Sequence, residues 1–220
     1  MIPPMSDAPI STAEPHAPRR RSAGPRRSEA SHAAILTAAE ELLAEKGPAA
    51  VTFEAVARRA GAGKPTLYRW WPTRTDLLIE VYDRKKAAAL SRPDTGRVAD
   101  DLVILLTDLW RFWREGPAGR AYAEIIAEAQ DHPAARAGFA ARLEDPAFPL
   151  TPIFERGVAR GEIADRAEAV VLREYVAALN WFRLLTGRLD EAAIPGLVAG
   201  LLGPRAIGGN ADGRPEGARR

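Results

Sequence analysis

Apolar residues recur at helical spacing along most of this chain, and no stretch of strand-like alternation interrupts them. Ile35, Leu36, Ala39, Leu42 and Leu43 form the first stripe, which begins to take shape at Ser28 and is stopped by Gly47. A short second helix is expected over Phe53 to Ala60, with Thr52 as its cap and Phe53, Val56, Ala57 and Ala60 facing inward. Gly61-Ala62-Gly63 makes a tight turn, and a third helix runs from Lys64 to Trp71 with Pro65 in its first turn. Pro72 ends it. Thr73 then caps a fourth helix with Asp76 at the capping-box position, and Leu77, Leu78, Val81 and Tyr82 carry the stripe on. Beyond Pro93, helices are expected at about 97–115, 117–130, 133–142, 147–160, 166–187 and 190–202, separated by Gly and Pro breaks.

The implied architecture is all-α. An N-terminal three-helix unit containing a helix-turn-helix, over residues 29–89, is followed by a larger helical domain over 93–203. Residues 1–28 are rich in Pro, Ser, Ala and Arg without apolar periodicity. They read as a disordered basic tail, and the Gly-rich residues 204–220 as another, because neither buries enough surface to offset its ordering entropy.

Charge sharpens the picture. The net charge is only +2, but between Ala17 and Thr75 eleven Arg and Lys stand against five Asp and Glu, whereas between Pro93 and Gly203 twelve stand against seventeen. A basic front and an acidic back suggest that the front meets a polyanion. The cluster Arg19, Arg20, Arg21, Arg26 and Arg27 suits either a solubilising tail or an arm that follows phosphates.

Composition also excludes. The chain has no cysteine, so disulfides, thiolate nucleophiles and cysteine-ligated zinc are ruled out. His16, His32 and His132 have no metal-ligand spacing, and no P-loop, nucleophile elbow or dinucleotide fingerprint is present, so neither catalysis nor a cofactor is expected. The longest apolar run, Ala192 to Pro204, falls short of the about 20 residues that span a bilayer, and no signal-peptide core follows Met1. A soluble cytoplasmic protein is the expectation.

The segment Thr52 to Trp71, TFEAVARRAGAGKPTLYRWW, carries the functional signal. A short amphipathic helix, a glycine turn and a second short helix make a helix-turn-helix, in which the inner face of the second helix must lock to the first. At about 100° per residue, Leu67, Trp70 and Trp71 gather on the inner side. Pro65, Tyr68 and Arg69 then point outward, with Lys64 and Thr66 on the flanks. That polar, basic and aromatic face suits base edges and phosphates of double-stranded DNA.

The same segment resembles the TetR/AcrR-type bacterial transcriptional regulators. The resemblance rests on Ile35-Leu36, Ala38-Ala39, Gly47, Thr52, Val56-Ala57, Ala60-Gly61, Thr66-Leu67-Tyr68, Trp71, Pro72, Arg74 and Leu77-Leu78. It covers residues 29–89 closely and the rest more loosely, and Trp70-Trp71 stands where many members carry Tyr-Phe or His-Phe. It implies a homodimeric, ligand-responsive repressor bound to a palindromic operator. Positions matching Lys64, Pro65, Thr66, Tyr68 and Arg69 would approach DNA, and those matching Thr52 and Arg74 would hold phosphates.

Two further expectations concern the back half. Trp110, Trp113, Tyr122, Ile126, Phe154, Tyr175 and Leu179 are candidates to line a cavity for a small apolar or aromatic effector. A homodimer is expected through residues 166–202, where Ala169, Leu172, Val176, Leu179 and Arg183 form one stripe and Ile194, Leu197, Val198, Leu201 and Leu202 another. The alternative is a ligand-independent DNA-binding or architectural protein, against which stands the size of the second domain.

Overall fold

The computed structural model describes residues 25–131, 136, 138, 141–142 and 145–203. Nine α-helices and no strands occur among the described residues. The expected all-α class therefore holds. The arginines Arg19, Arg20 and Arg21 and the Gly-rich end lie outside the described residues, as does most of the helix expected at 133–142.

Helix α1, Pro25–Lys46, starts three residues before Ser28 and buries Ile35, Leu36, Ala38, Ala39, Leu42 and Leu43. Gly47, at φ 81°, closes it in a conformation that a side chain would strain. A 3-10 turn over Pro48–Ala50 leads to α2, Phe53–Ala60, and α3, Lys64–Trp70. Helix α4, Arg74–Ala89, opens on a complete capping box. The Asp76 amide donates to Thr73 Oγ1 at 3.1 Å, and the Thr73 amide donates to Asp76 Oδ2 at 2.9 Å. Helix α1 packs on both α2 and α4, which closes the first core around Val56, Leu67, Leu77 and Leu78.

Helix α5, Val98–Arg114, is the pivot of the second half. It touches α4, α6 (Ala118–Ala129), α7 (Thr151–Ala159) and α9 (Ile194–Leu202), and it buries Leu102, Leu105, Leu106, Trp110 and Trp113. At the α5–α6 corner, a Cβ on Gly119 would lie 2.4 Å from the Trp113 carbonyl oxygen, so only glycine fits there. The buried Asp101 carboxylate accepts from the Thr95 amide and hydroxyl, at 2.7 and 2.8 Å, and from Arg156 at 3.2 Å. Burial pushes its pKa up, but these hydrogen bonds outweigh burial and hold it below the usual range. The loop between α4 and α5 is thereby pinned to α7.

Helix α8, Arg166–Leu185, is capped by Asp165 and packs on α6, α7 and α9. Two expected helices are shorter than the apolar pattern suggested. Pro149 holds back the start of α7, since a residue preceding proline is turned away from the helical region, whereas Pro152 is accommodated in the first turn after Thr151. Asp190 caps a 3-10 turn over Glu191–Ala193, and α9 begins only at Ile194. No helix among the described residues is long and apolar enough to cross a membrane.

Candidate nucleic-acid interface and helical-domain cavity

The helix-turn-helix is assembled from local rules. Thr52 Oγ1 accepts from the Ala55 amide at 3.2 Å and so caps α2. Gly61 takes the left-handed conformation, φ 62° and ψ 26°, that a sharp exit from α2 requires. The inner face of α3 then presents Leu67, fully buried. Tyr68, 55% exposed, lies on the outer side with its ring edge-on to Phe53 at 4.7 Å. Pro65 and Arg69 are also exposed, and Thr66 is half-buried. Lys64 is exposed and paired with Glu54 across the turn.

Trp70 departs from the expected inner position: it is 39% exposed. Helix α3 ends at Trp70, and Trp71 is extended, φ −126° and ψ 108°, so the helical wheel does not continue through it. Trp71 swings into the core instead, and its indole nitrogen donates to Glu80 of α4 at 2.6 Å. His32 stacks on the Trp71 ring at 4.8 Å, meets the Trp70 ring edge-on at 4.8 Å, and places Nε2 3.1 Å from Glu80. The C-terminal end of α3 is thus gripped by α1 and α4.

Arg74 is placed differently from a phosphate clamp. Its guanidinium donates to the Val51 and Pro48 carbonyls at 3.0 and 2.6 Å and reaches Glu124 and Glu128 of α6, each at 3.4 Å. It ties the turn before α2 to the second half of the molecule. Its donors point at protein here, unlike the outward placement that the expected phosphate contact has. Thr52, by contrast, remains at an exposed helix start.

The second half holds an apolar cavity of about 70 Å³ between α4, α5, α6 and α8. Trp113 and Tyr122 line it, as expected. The remaining expected lining residues do not. Trp110 is fully buried core, its indole donating to Asn180 Oδ1 at 2.5 Å. Ile126 and Phe154 are core residues away from the cavity, and Leu179 is half-buried outside it. Tyr175 is on the surface, 57% exposed. Aromatic type alone does not separate a residue that fills a core from one that borders a gap.

The residues that do shape the cavity include Asn180, which the sequence offers as a polar residue to orient a ligand, and Trp181, together with three that the pattern of aromatics passed over: Tyr82, Lys86 and Arg142. Tyr82 and Tyr122 stack at 4.4 Å with an interplanar angle of 6°. Trp113 donates to the Tyr82 hydroxyl at 2.9 Å, and Trp181 to the Tyr122 hydroxyl at 3.3 Å. Burial raises the pKa of both phenols. Leu78, Tyr82, Lys86 and Leu90 follow one another at four-residue spacing, so a cation in register with a buried stripe was the available signal.

A second feature is on the outside of α8. Its inward stripe is Ala169, Leu172, Val176 and Asn180, while Ile194, Val198 and Leu202 face inward from α9. Both stripes expected to supply the dimer surface thus close the single chain's own core to a large extent. The surplus apolar surface is a different line, Val171, Tyr175, Ala178, Phe182 and Leu185, spaced alternately by four and three residues. Phe182 is 52% exposed and Leu185 55%.

Comparison with known proteins agrees with this layout. Residues 35–81 match the family model for bacterial regulatory proteins of the tetR family, and residues 92–201 match that for the tetracyclin repressor-like C-terminal domain. The chain is 32% identical over 162 residues to an uncharacterized helix-turn-helix transcriptional regulator, YdeS of Bacillus subtilis, covering 72% of this chain and 80% of the relative. It is 28% identical to the DNA-binding transcriptional repressor TetR of Mycobacteroides abscessus, covering 80% of this chain and 94% of the relative. Among solved structures, the TetR family transcription regulator SCO0332 superposes with a TM-score of 0.68 at 31% identity, over 78% of this chain and 96% of that one.

Proposed function

The chain belongs to the tetR family and is a DNA-binding transcriptional regulator, and from that premise we propose that it is a homodimeric repressor released from a palindromic operator by a small apolar or aromatic effector. The observation that supports the switch is the continuity of α4. Glu80 of this one helix grips Trp71 behind α3, while Tyr82 and Lys86 form part of the cavity wall. An effector that moves the wall therefore acts on the same rigid rod that positions α3.

On this reading the outward face of α3, with Lys64, Pro65, Thr66, Tyr68 and Arg69, enters the major groove, and the exposed start of α2 at Thr52 approaches the backbone. The seam Val171, Tyr175, Ala178, Phe182 and Leu185 pairs with its counterpart about a two-fold axis. That axis sets the two α3 helices about 34–36 Å apart, one turn of DNA. The effector lowers operator affinity by favouring another spacing, and a coupling of about 1–3 kcal/mol corresponds to about 5–150-fold. The repressor assignment draws support from the name of the Mycobacteroides abscessus relative.

Selection from random duplexes with the full chain tests this directly. The expected product is a two-fold symmetric sequence, with Arg69→Ala weakening its binding by about 5–150-fold if Arg69 makes a good base contact. An asymmetric or absent consensus overturns the dimeric reading. A symmetric consensus whose binding no apolar or aromatic compound alters favours a constitutive binder.

A further inference from the structure

Two polar groups in the wall of the apolar cavity have a hydrogen-bond donor left over. Tyr82 is buried, and its hydroxyl oxygen accepts from the Trp113 indole at 2.9 Å. Its own O–H meets no acceptor among the described residues, and the Arg142 guanidinium, the nearby charge, is itself a donor. Asn180 is buried too. Its Oδ1 accepts from Trp110 at 2.5 Å, and one Nδ2 hydrogen goes to the Val176 carbonyl at 2.7 Å. The second Nδ2 hydrogen has no acceptor among the described residues. Both side chains line the same cavity, whose other walls are mainly Leu105, Leu106 and Leu109. A buried donor without an acceptor is costly, and two beside one gap mark a place for an acceptor.

The charges around this gap call for no ion. Next to it lies a wider cavity of about 460 Å³, and the two share Lys86, Leu90, Arg142, Phe148 and Pro149 as a common wall. Lys86 Nζ lies 3.1 Å from Asp83 Oδ1, and Arg142 pairs with the other oxygen of the same carboxylate. Asp145, in the wall of the wider cavity, acts on Arg142 as well. Two cations thus face two carboxylates, and Arg156 beyond them is paired with Asp94 and Asp101 at 3.1 and 3.2 Å. A charged ligand would enter a balanced wall and leave water without a partner of its own.

We propose that the effector of this regulator is an uncharged carbonyl compound, a ketone, ester or lactone, whose oxygen accepts from the Tyr82 hydroxyl, with the Asn180 amide as the second available donor. The inference rests on the effector-responsive reading above and adds the chemical class. A hydrocarbon would leave both donors unused, and an amine would add donors to a wall that already has too many. Water could meet the two groups, but it brings two donors of its own, whereas a carbonyl oxygen only accepts. Burial raises the Tyr82 pKa, so the phenol keeps the proton it would donate. The inner volume of about 70 Å³ is several times the about 10–15 Å³ that one water needs, so it admits the carbonyl and a few carbons. The rest of a larger molecule would extend past the shared wall into the wider cavity.

Trp181 in the wall provides a fluorescence signal for binding. The full chain is titrated with four molecules of nearly one shape: 4-phenylbutan-2-one, 3-methylbutylbenzene, 3-phenylpropanoate and 4-phenylbutan-2-amine. The ketone is expected to bind about tenfold or more tightly than the carboxylate and the amine. The infrared band of its carbonyl, labelled with carbon-13, should lie below its position in hexane, where no donor is present. Tyr82→Phe alone would release the Trp113 N–H toward the carbonyl, so that substitution is compared in a Trp113→Phe background. There it should weaken the ketone by about 2–13-fold relative to the hydrocarbon and return the band toward its hexane position. A band at the hexane position in the unaltered chain, or an equal loss for ketone and hydrocarbon, would overturn the Tyr82 contact. A carboxylate or amine that binds as tightly as the ketone would overturn the uncharged class while leaving the sensor reading intact. A ketone that binds with the shifted band but never releases the selected duplex would overturn the sensor reading and leave the site. Silence from all four compounds would overturn the cavity as a binding site altogether.

Discussion

Lys86→Met should make the ligand-free protein more stable at neutral pH. In the folded chain burial brings the Lys86 pKa from 10.5 down to about 8. At about 1.4 kcal/mol per pH unit, that shift corresponds to about 3 kcal/mol of stability lost at neutral pH. The sign follows from proton counting. Between pH 8 and 10.5 the unfolded chain holds a proton on Lys86 that the folded chain has released, so stability rises with pH across that window and the cost is complete below it. Methionine keeps the apolar stem and deletes the charge. It forfeits the Asp83 pair and the contact with the Tyr82 ring, together about 1 kcal/mol at a partly exposed site. Asp83 keeps Arg142, so no charge is orphaned. The expected net gain is about 1–2 kcal/mol, or roughly 2–8 °C in Tm for a chain of this size. Thermal and urea unfolding of both proteins from pH 7 to 10.5 measures it. The gap between variant and parent should be widest near pH 7 and shrink as pH rises. A variant that is less stable at pH 7, or a gap that ignores pH, would refute the desolvated lysine.

Phe182→Glu should yield a folded monomer at micromolar concentration by sedimentation, with operator binding reduced, because Phe182 is a large exposed ring of the α8 seam and is not needed for the single chain's core; persistence of a dimer would place the interface elsewhere. Tyr122→Ala should abolish the effector response while leaving operator affinity in its absence within a few-fold, since it removes half of the stacked Tyr82–Tyr122 wall; an unchanged response would rule out this cavity as the effector site.

What the sequence disclosed follows the range of the forces involved. The helix-turn-helix was legible because its determinants are local: the Thr52 cap, the left-handed Gly61 and the Thr73–Asp76 box all act within four residues. Trp70 was misplaced because the wheel groups it with Leu67, whereas at the last residue of α3 its ring meets His32 at the edge of the core and stays 39% exposed. The cavity was legible only in part, because a gap is made by side chains from four helices at once. Trp110 and Trp113 are three apart on α5, yet Asn180 fills the space beside one while the other borders the cavity. The α8 stripes were confused for a different reason. That helix has apolar residues on two faces, and which face the chain covers depends on where α6, α7 and α9 come to rest.

The contacts between α4 and α6 differ in kind, and on the proposed function the difference decides how an effector signal would travel. Arg74 spans the two helices, but its strong partners, the Val51 and Pro48 carbonyls, belong to the DNA-binding half. Its links to Glu124 and Glu128 are long, at 3.4 Å, and those glutamates are well exposed, so each contributes about 0–1 kcal/mol. Such pairs yield or re-form with water when α6 shifts. The Tyr82–Tyr122 stack is different: it is closely packed, continuous with the Trp113 ring, and pinned by hydrogen bonds from Trp113 and Trp181. Packed rings do not stretch. On the proposed function, a body entering the cavity would push α4 through Tyr82, and the push would reach α3 through Glu80 and Trp71. On the proposed function, Arg74 keeps the first half rigid, and the tyrosine stack carries the coupling.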